Sequence, residues 1–497
     1  MRCPVVRCEG PKARQSRTVM SNDSAVTATE TEVDSIQPER LDRDAMLNVV
    51  LVAIVLCLAV LYYWLKLPMV LNSSRPPVTR HPDVRFSSVA VDSEFLVSDD
   101  VMNLLGGEEI VGETIESHKN EVRITNVQVV DVLGDERNEI LVCDGSGNQV
   151  RAHWLEDDEW KSEVLADRMH IPAHATVADI DGDGDRDVIV SELGDIMPSD
   201  ELVGRVTILE ATEDGFRQRV VLQDVRRIAD VQAGDLDGDG DLDLAVGVFG
   251  YARGGVMWLE NVGALSFVEH SIDDRPGVIH VPVADYDGDG DLDIAAVVTQ
   301  DEEEVWILEN TDPGIFVPRM VYFTHNFDAG GGGLVAVDLD QDGDQDFLLS
   351  HGDNLEFGHG WPQDYHGCVW LCNNGNLEFE ARRIGQFGGT YAAAATDMDR
   401  DGDLDVVLVS MSNEFKEPTN PSMVWLENEQ EYRSDEMWKQ WKLATNPVEL
   451  ITVDVGDLNG DGHDDIVAGQ FRIPLSVVPL DQPVTVWLRE VDKESTE

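Results

Sequence analysis

Between Asp235 and Asp243 the chain reads Asp-Leu-Asp-Gly-Asp-Gly-Asp-Leu-Asp, and the apolar run Leu244-Ala-Val-Gly-Val follows at once. Carboxylates stand at positions one, three, five and nine, glycine at six, and position seven can lend its backbone carbonyl. That spacing curls hard oxygen ligands around one Ca²⁺, and the glycine takes a sharp turn that a side chain would obstruct. Mg²⁺ suits it less, because it demands strict octahedral order and gives up water reluctantly. The pattern starts again at Asp179, Asp285, Asp338, Asp397 and Asp457, with Gly184, Gly290, Gly343, Gly402 and Gly462 in the place of Gly240.

The expected ligands follow position by position. The first complete loop offers Asp179, Asp181, Asp183 and Asp187 with the Asp185 carbonyl, and the next offers Asp235, Asp237, Asp239 and Asp243 with that of Asp241. Then come Asp285, Asp287, Asp289 and Asp293 with Asp291, and Asp338, Asp340, Asp342 and Asp346 with Asp344. Asp397, Asp399, Asp401 and Asp405 with Asp403 form the fifth set. The last has Asp457, Asn459, Asp461 and Asp465, and His463 contributes only its carbonyl. Up to six structural Ca²⁺ sites are therefore expected, each tying a strand connection in place rather than activating water. A worn copy from Asp131 keeps Asp135 and Glu139 but has Leu133 and Glu136 where a ligand and the glycine belong, so no metal is expected there.

An EF-hand begins similarly but needs a bidentate Glu at position twelve and flanking helices. Position twelve here is Val190, Val246, Ala296, Leu349, Leu408 or Ala468. The segments after the loops, such as Val188-Ile-Val and Val406-Val-Leu-Val, are short and β-branched, as buried strands are.

Successive loops start 48, 56, 50, 53, 59 and 60 residues apart, room for four strands per unit. Each unit also carries an apolar strand piece: His153-Trp-Leu-Glu, Thr207-Ile-Leu-Glu, Met257-Trp-Leu-Glu-Asn, Trp306-Ile-Leu-Glu-Asn, Val369-Trp-Leu-Cys-Asn, Val424-Trp-Leu-Glu-Asn and Val486-Trp-Leu-Arg. The tryptophans are expected to pack between neighbouring units. Seven units predict an all-β, seven-bladed β-propeller over residues 108–490, followed by an acidic tail, 491–497. The last unit lacks a fourth strand, and Glu109 to Glu116 is expected to supply it, closing the ring and removing an open edge.

Upstream, residues 1–44 read as a disordered tail. Residues 45–65 hold one polar residue, Asn48, and end in Tyr62-Tyr-Trp-Leu, which predicts a single transmembrane signal anchor. A proline-bearing juxtamembrane linker, 66–107, follows. Either Met1 or Met20 can be the start, and Lys and Arg are nearly balanced about the span; the clustered Ca²⁺ loops place the large part outside the cytoplasm. The formal charge of −61 excludes nucleic-acid binding, which needs a basic footprint. Six Ca²⁺ would leave about −49, which favours cationic or Ca²⁺-bridged partners. The six cysteines make no disulfide framework, and Cys368 and Cys372, four apart on one strand, lie too far apart to bridge.

Asp-x-Asp-x-Asp-Gly-x-x-Asp loops within such units resemble the FG-GAP and VCBS repeats of integrin α-subunit propellers and exported bacterial proteins. The resemblance spans about residues 108–490; it departs at the Asp131 loop, and Phe-Gly-Gly-Ala-Pro strings are absent. It implies a Ca²⁺-binding propeller, found in adhesion and binding proteins and less often beside polysaccharide lyase chemistry.

Five residues before each loop stand Asn126, His174, Asp230, His280, Gly333, Ala392 and Thr452. Equivalent blades would ring these about one channel mouth, where His174, Asp230 and His280 are candidates to grip a metal or sugar, against a merely polar channel. An insertion between Ser350 and Val369 gathers Asp353, Glu356, His359, Trp361, Tyr365 and His366, a mixture suited to carbohydrate stacking or acid/base work. The leading expectation is a membrane-anchored, extracytoplasmic binding or adhesion module for protein or surface polysaccharide. The alternatives are a polysaccharide-active enzyme with Asp353, His359 and His366 as catalytic suspects, and a structural protein of the cell envelope.

Overall fold

The computed structural model describes residues 78–92, 122–299, 303–326, 329–353, 362–415, 417–429, 437–472 and 482–491. Residues 45–65 and 109–116 lie outside these. Among the described residues no helix is long and apolar enough to cross a membrane.

Strands form seven antiparallel sheets, one per blade, six of them meanders in chain order and the seventh taking its outer strand from upstream. Blade one runs through Ile124–Val130, Glu139–Asp144, Gln149–Glu156 and Glu159–Ala166, and the later units repeat its order. The acidic loop always joins the first strand to the second. The second strands, among them Asp187–Glu192, Asp243–Val248 and Asp405–Ser410, are six residues long and buried throughout. These are the β-branched runs of the sequence, apolar on both faces because a neighbouring blade covers each side. The fourth strands, such as Phe267–Asp273, alternate between exposed and half-buried residues. Strands on both sides of every loop rule out the EF-hand reading.

The hydrophobic interior divides into seven clusters, each shared by two adjacent blades. One holds Val132, Leu141 and Cys143 of blade one with Val188 and Val190 of blade two. Another joins Ile124 and Ile140 to Val467 and Val486, so blade seven packs directly on blade one. Trp258, Trp370, Trp425 and Trp487 are all buried within these wedges. The three described cysteines are free and buried, as the spacing argument requires for Cys368 and Cys372.

One feature corrects the sequence reading. The strand that completes the last blade is Phe86–Asp92, pairing antiparallel with Val484–Arg489 so that Val89 faces Val486. It comes from the stretch read as linker, and the edge of Val484–Arg489 expected to receive Glu109 to Glu116 is filled by it. The propeller thus begins upstream of residue 108. In blade four the innermost strand is broken into Val278–His280 and Val283–Ala284. Pro282 sits in the break, where it has no N–H to give a ladder.

Candidate metal centre

In five complete loops, three acidic residues bring ligand oxygens within 4.8 Å of one another: Asp179/Asp181/Asp187, Asp235/Asp237/Asp239, Asp285/Asp287/Asp289, Asp338/Asp340/Asp342 and Asp397/Asp399/Asp401. Oxygens about 2.4 Å from a shared Ca²⁺ lie no further apart than twice that. The backbone sets this approach. At position six, Gly240 has φ 97°, Gly290 101° and Gly402 101°, and its N–H donates to the position-one carboxylate, as Gly240 does to Asp235 at 3.1 Å. Position four also takes a positive φ, in Gly238 at 75° but equally in Gln341 at 58° and Arg400 at 68°. The sixth loop keeps the same frame, Gly462 N donating to Asp457 at 2.8 Å and Asp461 N to the Asn459 amide oxygen at 2.9 Å.

Whether a cation fits can be asked of the oxygens themselves. Asp179 Oδ1, Asp340 Oδ1 and Asp397 Oδ1 are buried with no hydrogen-bond donor against them. Burial, aided by neighbouring carboxylates, pushes the position-three groups Asp181, Asp237, Asp287, Asp340 and Asp399 above the usual carboxylate range. Shielded anionic oxygens crowded together without donors are what a hard divalent ion neutralises.

Position nine does something the ligand pattern alone does not reveal. Asp293 is buried; its Oδ2 accepts from Tyr286 N at 3.0 Å and its Oδ1 from Asn310 N at 2.7 Å. Asp187, Asp243, Asp346, Asp405 and Asp465 make the same pair of bonds, one to position two and one to the end of the third strand. Three of the asparagines that close these strand pieces, Asn261, Asn310 and Asn373, carry the clasp onward. Asn310 Nδ2 donates to Leu236 O of the preceding blade at 2.8 Å, and Asn373 Nδ2 to Tyr286 O at 2.9 Å.

The worn loop keeps this turn by other means. Glu139 Oε2 takes the position-nine role, accepting from Val132 N at 2.9 Å, and Glu136 adopts φ 69°. Arg137 pairs with Asp135, and Arg186 of the next loop lies 3.5 Å from the Asp131 carboxylate. Guanidinium groups supply the positive charge at this corner.

Of the expected channel ring, one arc converges. His174 Nδ1 lies 2.9 Å from Asp230 Oδ1 and His280 Nδ1 3.7 Å from Oδ2. Gln232 Nε2 donates to Oδ1 at 3.0 Å, and Val281 N, freed by the strand break, donates to Oδ2 at 2.8 Å. Burial raises the Asp230 pKa, but the two imidazoles outweigh it and hold the carboxyl well below its ordinary range. Every ring position follows a register shift in its innermost strand. The arc does not extend further: Thr452 Oγ1 accepts from Val127 N at 3.0 Å, and a Cβ at Gly333 would lie 3.0 Å from Tyr391 O. Asn126 is on the same innermost strand as Gln128, whose Nε2 is 3.1 Å from His174 Nε2. Among the catalytic suspects, His366 is buried and its Nδ1 accepts from Gly389 N at 2.9 Å, while Asp353 N donates to Gly330 O at 3.0 Å. Glu356, His359 and Trp361 lie outside the described residues.

Seven antiparallel blades, each with an Asp-rich or Asp-derived turn between its first and second strands, define a repeat β-propeller. The FG-GAP-like repeat matches residues 131–190, 235–296 and 285–349, and these matches together with the seven-bladed fold support the FG-GAP β-propeller family. No curated protein matches the sequence. Among solved structures, the Dos1 propeller is similar with a TM-score of 0.38 at 9% identity, over 57% of this chain and 65% of that one. BBS1N in complex with ARL6DN, soaked with mercury, gives 0.45 at 11% identity, over 76% of this chain and 94% of that one. The lead-soaked crystal of the same complex gives 0.44 at 10%, with the same coverage.

Proposed function

We propose that the chain is a Ca²⁺-stabilised propeller that serves as a binding or adhesion module, held at a membrane by residues 45–65 with its blades outside the cytoplasm, and that its ligand is a protein or a surface polysaccharide. The calcium reading rests on one observation: crowded carboxylate oxygens within 4.8 Å, three of the loops holding a buried oxygen with no donor. Positions one, three and five, with the carbonyl of position seven, would hold the ion, and position nine would add an oxygen while clasping the strands. The ion supplies charge neutralisation that fixes the loop, and the protein's own asparagines pass that rigidity to the neighbouring blade. The Asp131 loop takes no ion, its charge being met by Arg137 and Arg186.

Chelation tests the reading. Removing calcium should lower the unfolding midpoint and weaken adhesion to a protein- or glycan-coated surface together, because the ions act through the scaffold. Adhesion unaffected by chelator while the midpoint falls would separate the binding role from the loops, and an unmoved midpoint would overturn the calcium role.

A further inference from the structure

The chain carries 97 acidic against 36 basic residues, yet one cavity reverses that balance. About 400 Å³ in volume, it lies at the seam where the segment carrying Phe86–Asp92 meets blades six and seven. Arg80, His81, Arg85 and Lys442 line it, against one acid, Glu490. Several arginines elsewhere are spent on carboxylates, among them Arg217 on Glu210, Arg275 on Asp273, Arg319 on Glu309 and Arg382 on Glu380. Among the described residues neither Arg80 nor Arg85 has such a partner, and both are exposed. An unpaired cation pair beside a lysine, in so acidic a molecule, attracts an anion strongly at short range.

The rest of the wall is suited to a sugar. His81 is fixed: its Nδ1 accepts from Asp83 N and Val84 N, both at 3.1 Å, so Nε2 carries the ring proton and can donate. Its ring packs on Trp425 and Trp441 at 4.9 and 4.8 Å. Phe86 supplies part-exposed aromatic surface, Trp487 being almost wholly buried where it meets the cavity, and Ser88 and Asn446 supply hydroxyl and amide groups. A cavity of this size takes a ligand of about one or two sugar rings. A long polyanion would be repelled by the surrounding charge, whereas one acidic group reaches the cations within a screening length of about 8 Å.

We infer that this seam cavity binds a compact acidic saccharide, with Arg80, Arg85 and Lys442 on its sulfate or carboxylate group and the aromatic wall against its ring. The inference deepens the proposed binding role and does not depend on the calcium loops. Calorimetric titration of the whole protein in calcium-containing buffer tests it, using a monosulfated disaccharide, its uronate counterpart, the neutral parent sugar and sodium sulfate. At least one acidic disaccharide should bind, the neutral parent should not, and Arg80→Gln/Arg85→Gln should weaken binding about tenfold or more at an unchanged unfolding midpoint. Rising salt should weaken it further. No binding of either acidic sugar, binding unchanged in the double variant, or equal binding of the neutral parent would overturn the inference. Sodium sulfate binding as tightly as the sugars would mean an adventitious ion only and would overturn the saccharide assignment. Since calcium uptake is measured separately, failure here leaves the loop reading standing.

Discussion

At the scale of residues, each loop divides its labour. Asp289 at position five is exposed and would offer its oxygen to an ion, whereas Asp293 at position nine is buried and holds two backbone N–H groups. Asp293→Ala would strand both donors, at about 1–3 kcal/mol each, visible as a lower urea midpoint even in chelator. Asp289→Ala should change the chelated protein by about 0.5 kcal/mol or less and instead remove one calcium. Equal effects of the two in chelator would contradict this division. Burial also raises the position-nine pKa values, to about 6 for Asp187, Asp243 and Asp465, about 7 for Asp293 and Asp346 and about 8 for Asp405. These acids bind protons more tightly folded than unfolded, where the value is about 3.9. Between about pH 4 and 8 the unfolded chain therefore holds fewer protons, so the stability of chelated protein falls as pH rises. Calcium should abolish or reverse that slope; a chelated protein that grows more stable across this window would refute the assignment. The ligand spacing was legible in the sequence because it is local. The second role of position nine was not, because its partners, such as Asn310, are a strand away. The asparagine recurring after Trp-Leu-Glu was the available signal.

Among the elements, the second strands were readable because their neighbours bury both faces, leaving runs such as Val406-Val-Leu-Val without polar alternation. The closing strand was harder. Phe-Ser-Ser-Val-Ala-Val-Asp alternates weakly, lies far from its partner in sequence and is half-exposed, so it reads as linker and Glu109 to Glu116 as the closing strand. Its removal has a distinct consequence. A chain lacking residues 78–92 exposes the edge of Val484–Arg489 and should elute as oligomers or aggregate, with unfolding that becomes broader and begins earlier. A synthetic peptide of residues 78–92 should restore the monomer. A monomeric truncated chain that unfolds as the full one does would show that the strand is dispensable.

For the molecule as a whole, stability comes from seven wedge-shaped cores and a circuit of loop contacts. Asn138 of blade one donates to Asp457 O of blade seven at 3.1 Å, and Arg186 of blade two donates to Asp131 O at 2.8 Å, so the loop network closes as the blades do. A repeat array ordinarily frays from its ends; closure gives it none. The period of the loops revealed this architecture, while the seam cavity could not be read from it, since Arg80, Lys442 and Glu490 meet only after the ring has shut. Calcium counts at each loop connect the residue chemistry to the whole. The sixth loop, with Asn459 in place of a carboxylate and Arg400 donating to Gly462 O at 2.8 Å, should hold the weakest ion. Native mass spectrometry during calcium titration measures this most directly. The account predicts five ions bound per chain, a sixth at higher concentration and none at the Asp131 loop, with one ion lost in Asp289→Ala; a chain that takes up no calcium would contradict it.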